Sequence, residues 1–153
     1  MGHDYTQISQ EVNPETGYSI TNFEKPINGF VLKLKYFETN SKSVDIEIER
    51  ENETIAFIKS NYWPSHKLLF IEDIDTHSAH RRKGLGKLRM KEVISFLNSM
   101  GETPKKIIAE DVGYTGTLDG SEFFKALGFQ PEEKSTNWKA SIEDLKKSLG
   151  LNA

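Results

Sequence analysis

The chain contains no cysteine among its 153 residues. Disulfides, thiolate metal sites and a cysteine nucleophile are therefore excluded. No apolar run approaches the ~20 residues of a membrane span. No basic start, apolar centre and small-residue cleavage site marks a secretory leader. In the absence of a targeting segment, the expected location is the cytoplasm, with no membrane partner.

An excess of positive charge is also missing. The net charge of −3 at pH 7 argues against a general nucleic-acid binder, which is usually basic. The charge is nevertheless uneven, because residues 80–91 carry six Arg or Lys residues and no acid. Acidic residues lie just outside this segment: Glu72, Asp73, Asp75, Glu110 and Asp111. The length and the mixture of apolar and charged residues predict one soluble domain with its own core.

Apolar periodicity predicts the order of the elements. Four strands are expected over residues 30–36, 44–49, 54–59 and 68–76, followed by a helix over 85–100. A fifth strand at 106–112, a short helix at 121–127, two final strands at 129–130 and 136–139 and an amphipathic helix from Ser141 complete the order. This order predicts a mixed α/β fold with a sheet packed against helices.

A basic glycine turn lies between the fourth strand and the long helix. Gly84 and Gly86 permit a close backbone approach to a ligand, and the helix that follows directs free N–H groups and its positive end at the turn. The turn therefore predicts a pyrophosphate cradle. It is not a Walker A loop, because Leu88 follows Lys87, and it is not a dinucleotide fingerprint, because position 89 is Arg.

The remaining pattern, R-x-x-G-x-G from Arg81 to Gly86, resembles the coenzyme A pyrophosphate loop of the GNAT superfamily of N-acetyltransferases. About forty residues later, F-F-x-x-x-G-F from Phe123 to Phe129 resembles the F-Y-x-x-x-G-F helix of that family. The segment Ile71 to Asp73 is similar to the L-E-D strand of diamine acetyltransferases. The resemblance covers roughly residues 29–140.

The resemblance implies a central, mostly antiparallel twisted sheet of 6–7 strands, splayed between strands 4 and 5 and flanked by helices. The family's usual N-terminal helices are expected to be reduced or absent, because only residues 37–43 separate the first two strands. We expect residues 1–27 to form a loose arm with at most a short strand. Residues 28–140 would then form the acetyltransferase domain, and residues 141–153 a helix packed on the domain or on a partner.

For the reaction, the resemblance implies direct attack of an amine on the thioester of acetyl coenzyme A. Glu72 is the first candidate for the general base, and Glu110 is the second. Asp73 would point to the opposite face if the strand is regular, so only one of these two neighbours would serve the site. Phe124 stands where the family has a tyrosine that protonates the leaving thiolate. Tyr114, in the Gly-rich loop, and Ser121 lie in the right segment to donate instead, and donation by water or departure as a free thiolate stays open.

The resemblance also assigns the cofactor contacts. The backbone of Ile74, Asp75 and Thr76 would pair with the pantetheine arm, and Phe124 would lie beside the cofactor. The pyrophosphate would be held by Arg81, Arg82, Lys83, Gly84, Leu85, Gly86 and Lys87. Among these, Arg82, Lys83 or Lys87 would reach the 3′-phosphate. No metal is expected, because His77 and His80 have no third ligand.

The sequence therefore predicts an acetyl-coenzyme-A-dependent N-acetyltransferase. Its acidic residues favour a cationic acceptor, either a polyamine or other small amine, or a protein lysine or N-terminus. Two alternatives stay open: a regulatory protein that binds acyl coenzyme A with weak or no catalysis, motivated by Phe124, and a nucleic-acid-associated module that uses residues 80–91. Whether the chain forms a homodimer also stays open.

Overall fold

A computed structural model describes residues 5–27, 29–76, 85–110, 127–131 and 137–150. Within these ranges one sheet has the strand order β1-β2-β3-β4-β5-β6-β7-β9-β8. Its strands are β1 (Thr6–Val12), β2 (Ser19–Ile27), β3 (Phe30–Glu38), β4 (Lys42–Arg50), β5 (Glu53–Trp63), β6 (Leu68–Thr76), β7 (Lys106–Glu110), β8 (Gln130–Pro131) and β9 (Asn137–Ser141). The helices are α1 (Leu85–Ser99) and α2 (Ile142–Leu149).

The expected mixed fold with a mostly antiparallel sheet is confirmed. Every pairing is antiparallel except that of β6 with β7, which is parallel and is bridged along the chain by α1. The seven strands expected from the sequence correspond to β3 through β9. Residues 5–27 and 29–76 contain no helix, and only residues 39–41 connect β3 to β4. The reduction of the N-terminal helices is therefore as expected.

The N-terminal segment differs from expectation. Instead of a loose arm, residues 6–27 contribute two full strands. β1 pairs with β2, with one shift of register between Gln7 and Ser9, and β2 pairs with β3 in a continuous register. Phe23 lies in the core and stacks edge-on against Phe96 of α1, with ring centroids 5.4 Å apart. The sheet therefore has two more strands than expected, because backbone pairing and one buried aromatic ring anchor this polar segment.

Helix α1 packs on one face of the sheet and is fastened there by polar contacts. Arg89 is only 2% exposed, and its Nη1 donates to the carbonyl oxygen of Phe57 on β5 at 2.5 Å. Glu92 accepts hydrogen bonds from Lys25 at 2.9 Å and from the Tyr5 hydroxyl at 3.1 Å. These contacts join the helix to both the centre and the N-terminal part of the sheet. They fix where its first turn lies.

Helix α2 is capped as its sequence predicts. The Ser141 hydroxyl accepts the N–H of Asp144 at 3.2 Å, and Gly150 ends the helix in the left-handed region with φ of 71°. Leu145 and Leu149 are buried against the same core as α1. The predicted amphipathic helix therefore packs on the sheet.

The opposite face of the sheet is polar. We call it the open face and define it by the following side chains: Lys33, Lys35, Asp45, Glu47, Phe57 and Lys59. Residues of the described ranges form a concave cavity of about 700 Å³ on it, and within those ranges no helix covers it. None of the helices described is long and apolar enough to cross a membrane.

Candidate functional site

The parallel pairing of β6 with β7 covers only the first part of β6. It runs from Leu68 with Lys106 to Ile71 with Ala109, and β7 ends at Glu110, where the described residues also end until residue 127. β6 continues to Thr76, and among the described residues its partner beyond Ile71 is β5, on its other side. Within the described part of the chain, the backbone groups of residues 74–76 on the β7 side therefore have no strand partner. A ligand that carries amides can pair with such an edge as an added strand does.

Helix α1 begins near the end of β6, because Arg89 in its second turn donates to the carbonyl oxygen of Phe57, which pairs with Asp75. Leu85, Gly86 and Lys87 form its first turn, and the Lys87 side chain is exposed. The free N–H groups and positive end of a helix at this position favour an anion. The remaining residues of the predicted cradle, 81–84, lie outside the described residues.

Arg89 differs from the other described basic residues of segment 80–91, which are exposed. It is buried, and its guanidinium donates to a backbone carbonyl of the sheet. The guanidinium therefore anchors α1 to the sheet and is not exposed to a ligand at the surface.

A β-bulge at Glu72 places the carboxylates of Glu72 and Asp73 on the same side of the sheet. Lys59 pairs with Asp73 and Ser60 pairs with Ile71, so Glu72 is the extra residue of β6. Ile71 and Ile74 are both buried, which leaves Glu72 exposed and Asp73 half-buried between them. The expectation that Asp73 points to the opposite face is therefore wrong, because the strand is not regular at this point.

Glu72 ends a chain of hydrogen bonds that crosses three strands. The Ser43 hydroxyl on β4 donates to Asn61 Oδ1 on β5, and Asn61 Nδ2 donates to Glu72 Oε1. A carboxylate only accepts hydrogen bonds, so this contact requires the amide nitrogen to face Glu72. Among the described residues, the other oxygen of Glu72, Oε2, has no hydrogen-bond donor.

Asp45 is a further carboxylate that the sequence did not single out. It lies on β4, one strand from Asn61, and accepts a hydrogen bond from the backbone of Ser60. Burial is the main cause that raises the pKa of Asp45, with a smaller contribution from the charge of Glu72. The acid–apolar alternation of residues 44–49 places Asp45 on a strand face, but only the register brings it near Glu72.

Glu110 is the second candidate for the general base. It ends β7, one residue beyond the last described pair with β6. Tyr114, Ser121 and Phe124 lie outside the described residues. The structure thus brings together Glu72, the edge at residues 74–76 and the start of α1.

Comparisons with known proteins identify the family and the fold. A family model described as the acetyltransferase (GNAT) family matches residues 6–129. No curated protein matches the chain. Among solved structures, the chain is similar to the PaiA N-acetyltransferase of Thermoplasma acidophilum in complex with coenzyme A, with 14% identity and a TM-score of 0.53 over 64% of this chain and 60% of that chain.

Two further structures are similar. One is GCN5 of Tetrahymena, with 11% identity and a TM-score of 0.51 over 69% of this chain and 70% of that chain. The other is an acetyltransferase from Bacillus cereus, with 12% identity and a TM-score of 0.51 over 67% of this chain and 74% of that chain. At these identities the likeness is one of fold. The chain spans less than two thirds of the length of the Thermoplasma protein.

Proposed function

The chain belongs to the GNAT family of acetyltransferases, and from this we propose that it transfers the acetyl group of acetyl coenzyme A to a primary amine within a ternary complex. The observation that carries the proposal is that the described pairing of β6 with β7 ends at Ile71 and Ala109, while β6 continues to Thr76 near the start of α1. Members of this family are transferases that use acetyl coenzyme A. The same two features would position a thioester next to Glu72.

The cofactor would bind along this last part of β6. Its pantetheine amides would pair with the backbone of residues 74–76, on the side of β6 that has no strand partner among the described residues. The pyrophosphate would lie on the turn formed by residues 81–87 at the start of α1, where N–H groups and basic side chains converge. Phe124 would contact the cofactor. The coenzyme A in the similar Thermoplasma structure supports coenzyme A as the ligand.

Glu72 would act as the general base. A protonated amine has no lone pair, so it must first lose a proton, which Glu72 accepts directly or through a water. The nitrogen then attacks the carbonyl carbon of the thioester, the C–N bond forms and the C–S bond breaks. The thiolate leaves with the electron pair of that bond, and the amide nitrogen releases its remaining extra proton. Glu110, at the end of β7, is the second candidate for the base.

The leaving thiolate would receive a proton from Tyr114 or from water. Phe124 has no proton to donate, so the tyrosine usual in the family cannot perform this step here. A coenzyme A thiol is acidic enough to leave as the thiolate. We therefore expect Tyr114 to assist turnover and not to be essential for it.

The acceptor is proposed to be cationic. Glu72 and Asp73 are both directed away from the core by the bulge, and Asp45 lies two strands away on the same face. No helix of the described residues before β6 covers this face. An uncovered face admits a macromolecular amine, such as a protein lysine or N-terminus, as well as a polyamine or other small amine.

Titration calorimetry with acetyl coenzyme A, followed by thiol release with an amine panel, tests the proposal. The chain has no cysteine, so thiol release has no protein background. We expect saturable binding and thiol release with one class of amine, either small polyamines or lysine peptides. Binding without release to any amine would instead support the regulatory function that Phe124 suggests. Absence of binding would contradict both.

A further inference from the structure

The hydrogen-bond chain that ends at Glu72 extends the proposed function, on which this inference rests. Asn61 lies on β5 opposite Phe70 of β6, and Glu72 is two residues further along β6. A diagonal neighbour at this spacing is within reach of a long side chain. The contact between Asn61 and Glu72 is unusual because Glu72, the extra residue of the bulge, has no partner of its own on β5.

The orientation of the Asn61 amide is determined from both sides. Glu72 can only accept, so it takes the Nδ2 hydrogen, and this leaves Oδ1 to accept the hydroxyl hydrogen of Ser43. Ser43 and Asn61 stand directly opposite each other in the β4–β5 register. The amide therefore has one orientation that satisfies both neighbours.

We propose that Asn61 is the positioning residue for the base: its amide holds one oxygen of Glu72 and directs the other toward the acceptor amine. Ser43 supports Asn61 by donating its hydroxyl hydrogen to Oδ1 of the same amide. A bulged residue at the strand surface has several rotamers, and a base is effective only within hydrogen-bond reach of the proton it removes. The chain of contacts selects one rotamer.

Several charged residues occupy neighbouring positions around Glu72. They are Asp73 on β6 itself, Lys59 on the adjacent strand β5, Glu110 at the end of the adjacent strand β7, and Asp45 on β4, two strands away. Asn61 is the residue of the described set that donates a side-chain hydrogen bond to Glu72. Its replacement therefore changes the contact directly and leaves these charges in place.

The test compares Asn61→Asp, Asn61→Ala and Ser43→Ala with the matched control Asn22→Asp. Asn22 lies on β2, where its Nδ2 donates to Ser9 Oγ at 3.0 Å. It stands on the same face as Glu72 but four strands away, about 19 Å, which is beyond the screening length of physiological salt. The control thus adds the same charge to the same face without touching the base.

The measurement is kcat/KM for the amine as a function of pH, with the Glu72 carboxyl followed in parallel by NMR titration. For Asn61→Asp we expect the acidic limb of the profile and the carboxyl midpoint to move up together by about one pH unit. This shift lowers kcat/KM about tenfold on the acidic side and leaves KM for acetyl coenzyme A unchanged. Asn61→Ala should shift in the same direction, Ser43→Ala less, and Asn22→Asp not at all.

Two results would overturn the inference: an Asn61→Ala variant with the kcat/KM of wild type at every pH, or a carboxyl midpoint that is the same in wild type and Asn61→Asp. Failure of the proposed function is a separate outcome. It would appear as a wild-type protein that releases no thiol with any amine. In that case the NMR titration still tests the contact between Asn61 and Glu72, because it does not require turnover.

Discussion

Ile71 and Ile74 are three residues apart on one strand, yet both side chains are buried in the same core. A regular strand would place them on opposite faces. The extra residue at Glu72 reverses the alternation, so that Glu72 and Asp73 both lie away from the core. The bulge lies directly after the last described pair between β6 and β7, Ile71 with Ala109. It therefore presents the candidate base beside the part of β6 proposed to bind the cofactor.

The first prediction separates these two adjacent carboxylates. Glu72→Gln keeps the shape of the side chain and the hydrogen bond from Asn61 but cannot accept a proton. We expect kcat/KM for the amine to fall about 10²-fold or more, and the acidic limb of the pH profile to disappear. Binding of acetyl coenzyme A should not change. Steady-state kinetics across pH, together with calorimetry, make the comparison.

Asp73→Asn is the matched control for that substitution. It removes one negative charge from the neighbouring residue on the same side of the sheet. We expect a rise in KM for a cationic amine and retention of the acidic limb. If Asp73→Asn abolished the acidic limb of the pH profile and Glu72→Gln retained it, the base would be Asp73 and not Glu72.

The second prediction concerns the ion pair that fastens α1 to β2. Lys25 Nζ lies 2.9 Å from Glu92 Oε1, and both side chains are largely buried. Glu92→Leu leaves the lysine unpaired and the Tyr5 hydroxyl without this acceptor. We expect the free energy of unfolding to fall by about 3 kcal/mol.

A double-mutant cycle with Lys25→Met tests whether the pair acts as a unit. Removing both charges leaves no uncompensated ion, so the double variant should lose clearly less stability than the sum of the two single variants. Urea unfolding measured by circular dichroism provides the four values. Additive losses would mean that the two side chains do not interact in solution.

Strands with an apolar face were predictable, and the two N-terminal strands were not. The strand expected over 68–76 has the observed bounds, because its buried leucine and isoleucine side chains give a clear apolar pattern. In contrast, all seven residues of β1 are exposed, including Ile8 and Val12. This strand is held by backbone pairing to β2, which leaves no periodicity in the sequence.

The site was predictable only where it depends on local sequence. Strand, glycine turn and helix follow one another along the chain, so their order could be inferred. The meeting of Ser43, Asn61 and Glu72 depends on the registers of β4, β5 and β6, which are tertiary features. The bulge had no signal either, since Glu-Asp within an apolar run is equally compatible with a regular strand.

The third prediction follows from Asp45. Because burial raises its pKa, the folded state holds a proton that the unfolded state has already lost once the pH exceeds the ordinary aspartate value of about 3.9. This residue therefore lowers stability as the pH rises through the window between the two pKa values. The protonated form of Asp45 is the one that the fold favours, so its contribution to the free energy of unfolding is present below that window and lost above it.

Asp45→Asn removes this titration, while its amide oxygen can still accept the hydrogen bond from the Ser60 backbone. We expect the melting temperature of the variant, relative to wild type, to increase between about pH 3 and pH 7. Thermal unfolding of both proteins at several pH values measures the difference. A difference that stays constant or shrinks over this range would show that Asp45 is not disfavoured in its charged form.

The fourth prediction tests the basic turn through the 3′-phosphate of the cofactor. Wild type should bind acetyl coenzyme A more tightly than its 3′-dephospho analogue, because a charge-assisted contact to phosphate is worth about tenfold in affinity. In a variant carrying both Arg82→Ala and Lys83→Ala, the preference should vanish while the analogue binds almost as before. Lys87→Ala tests the third candidate, and Lys91→Ala, exposed one turn further along α1, is the control for a general loss of charge. An equal loss of affinity for acetyl coenzyme A and for its 3′-dephospho analogue would mean that the turn attracts the cofactor by its overall charge. None of these side chains would then contact the 3′-phosphate.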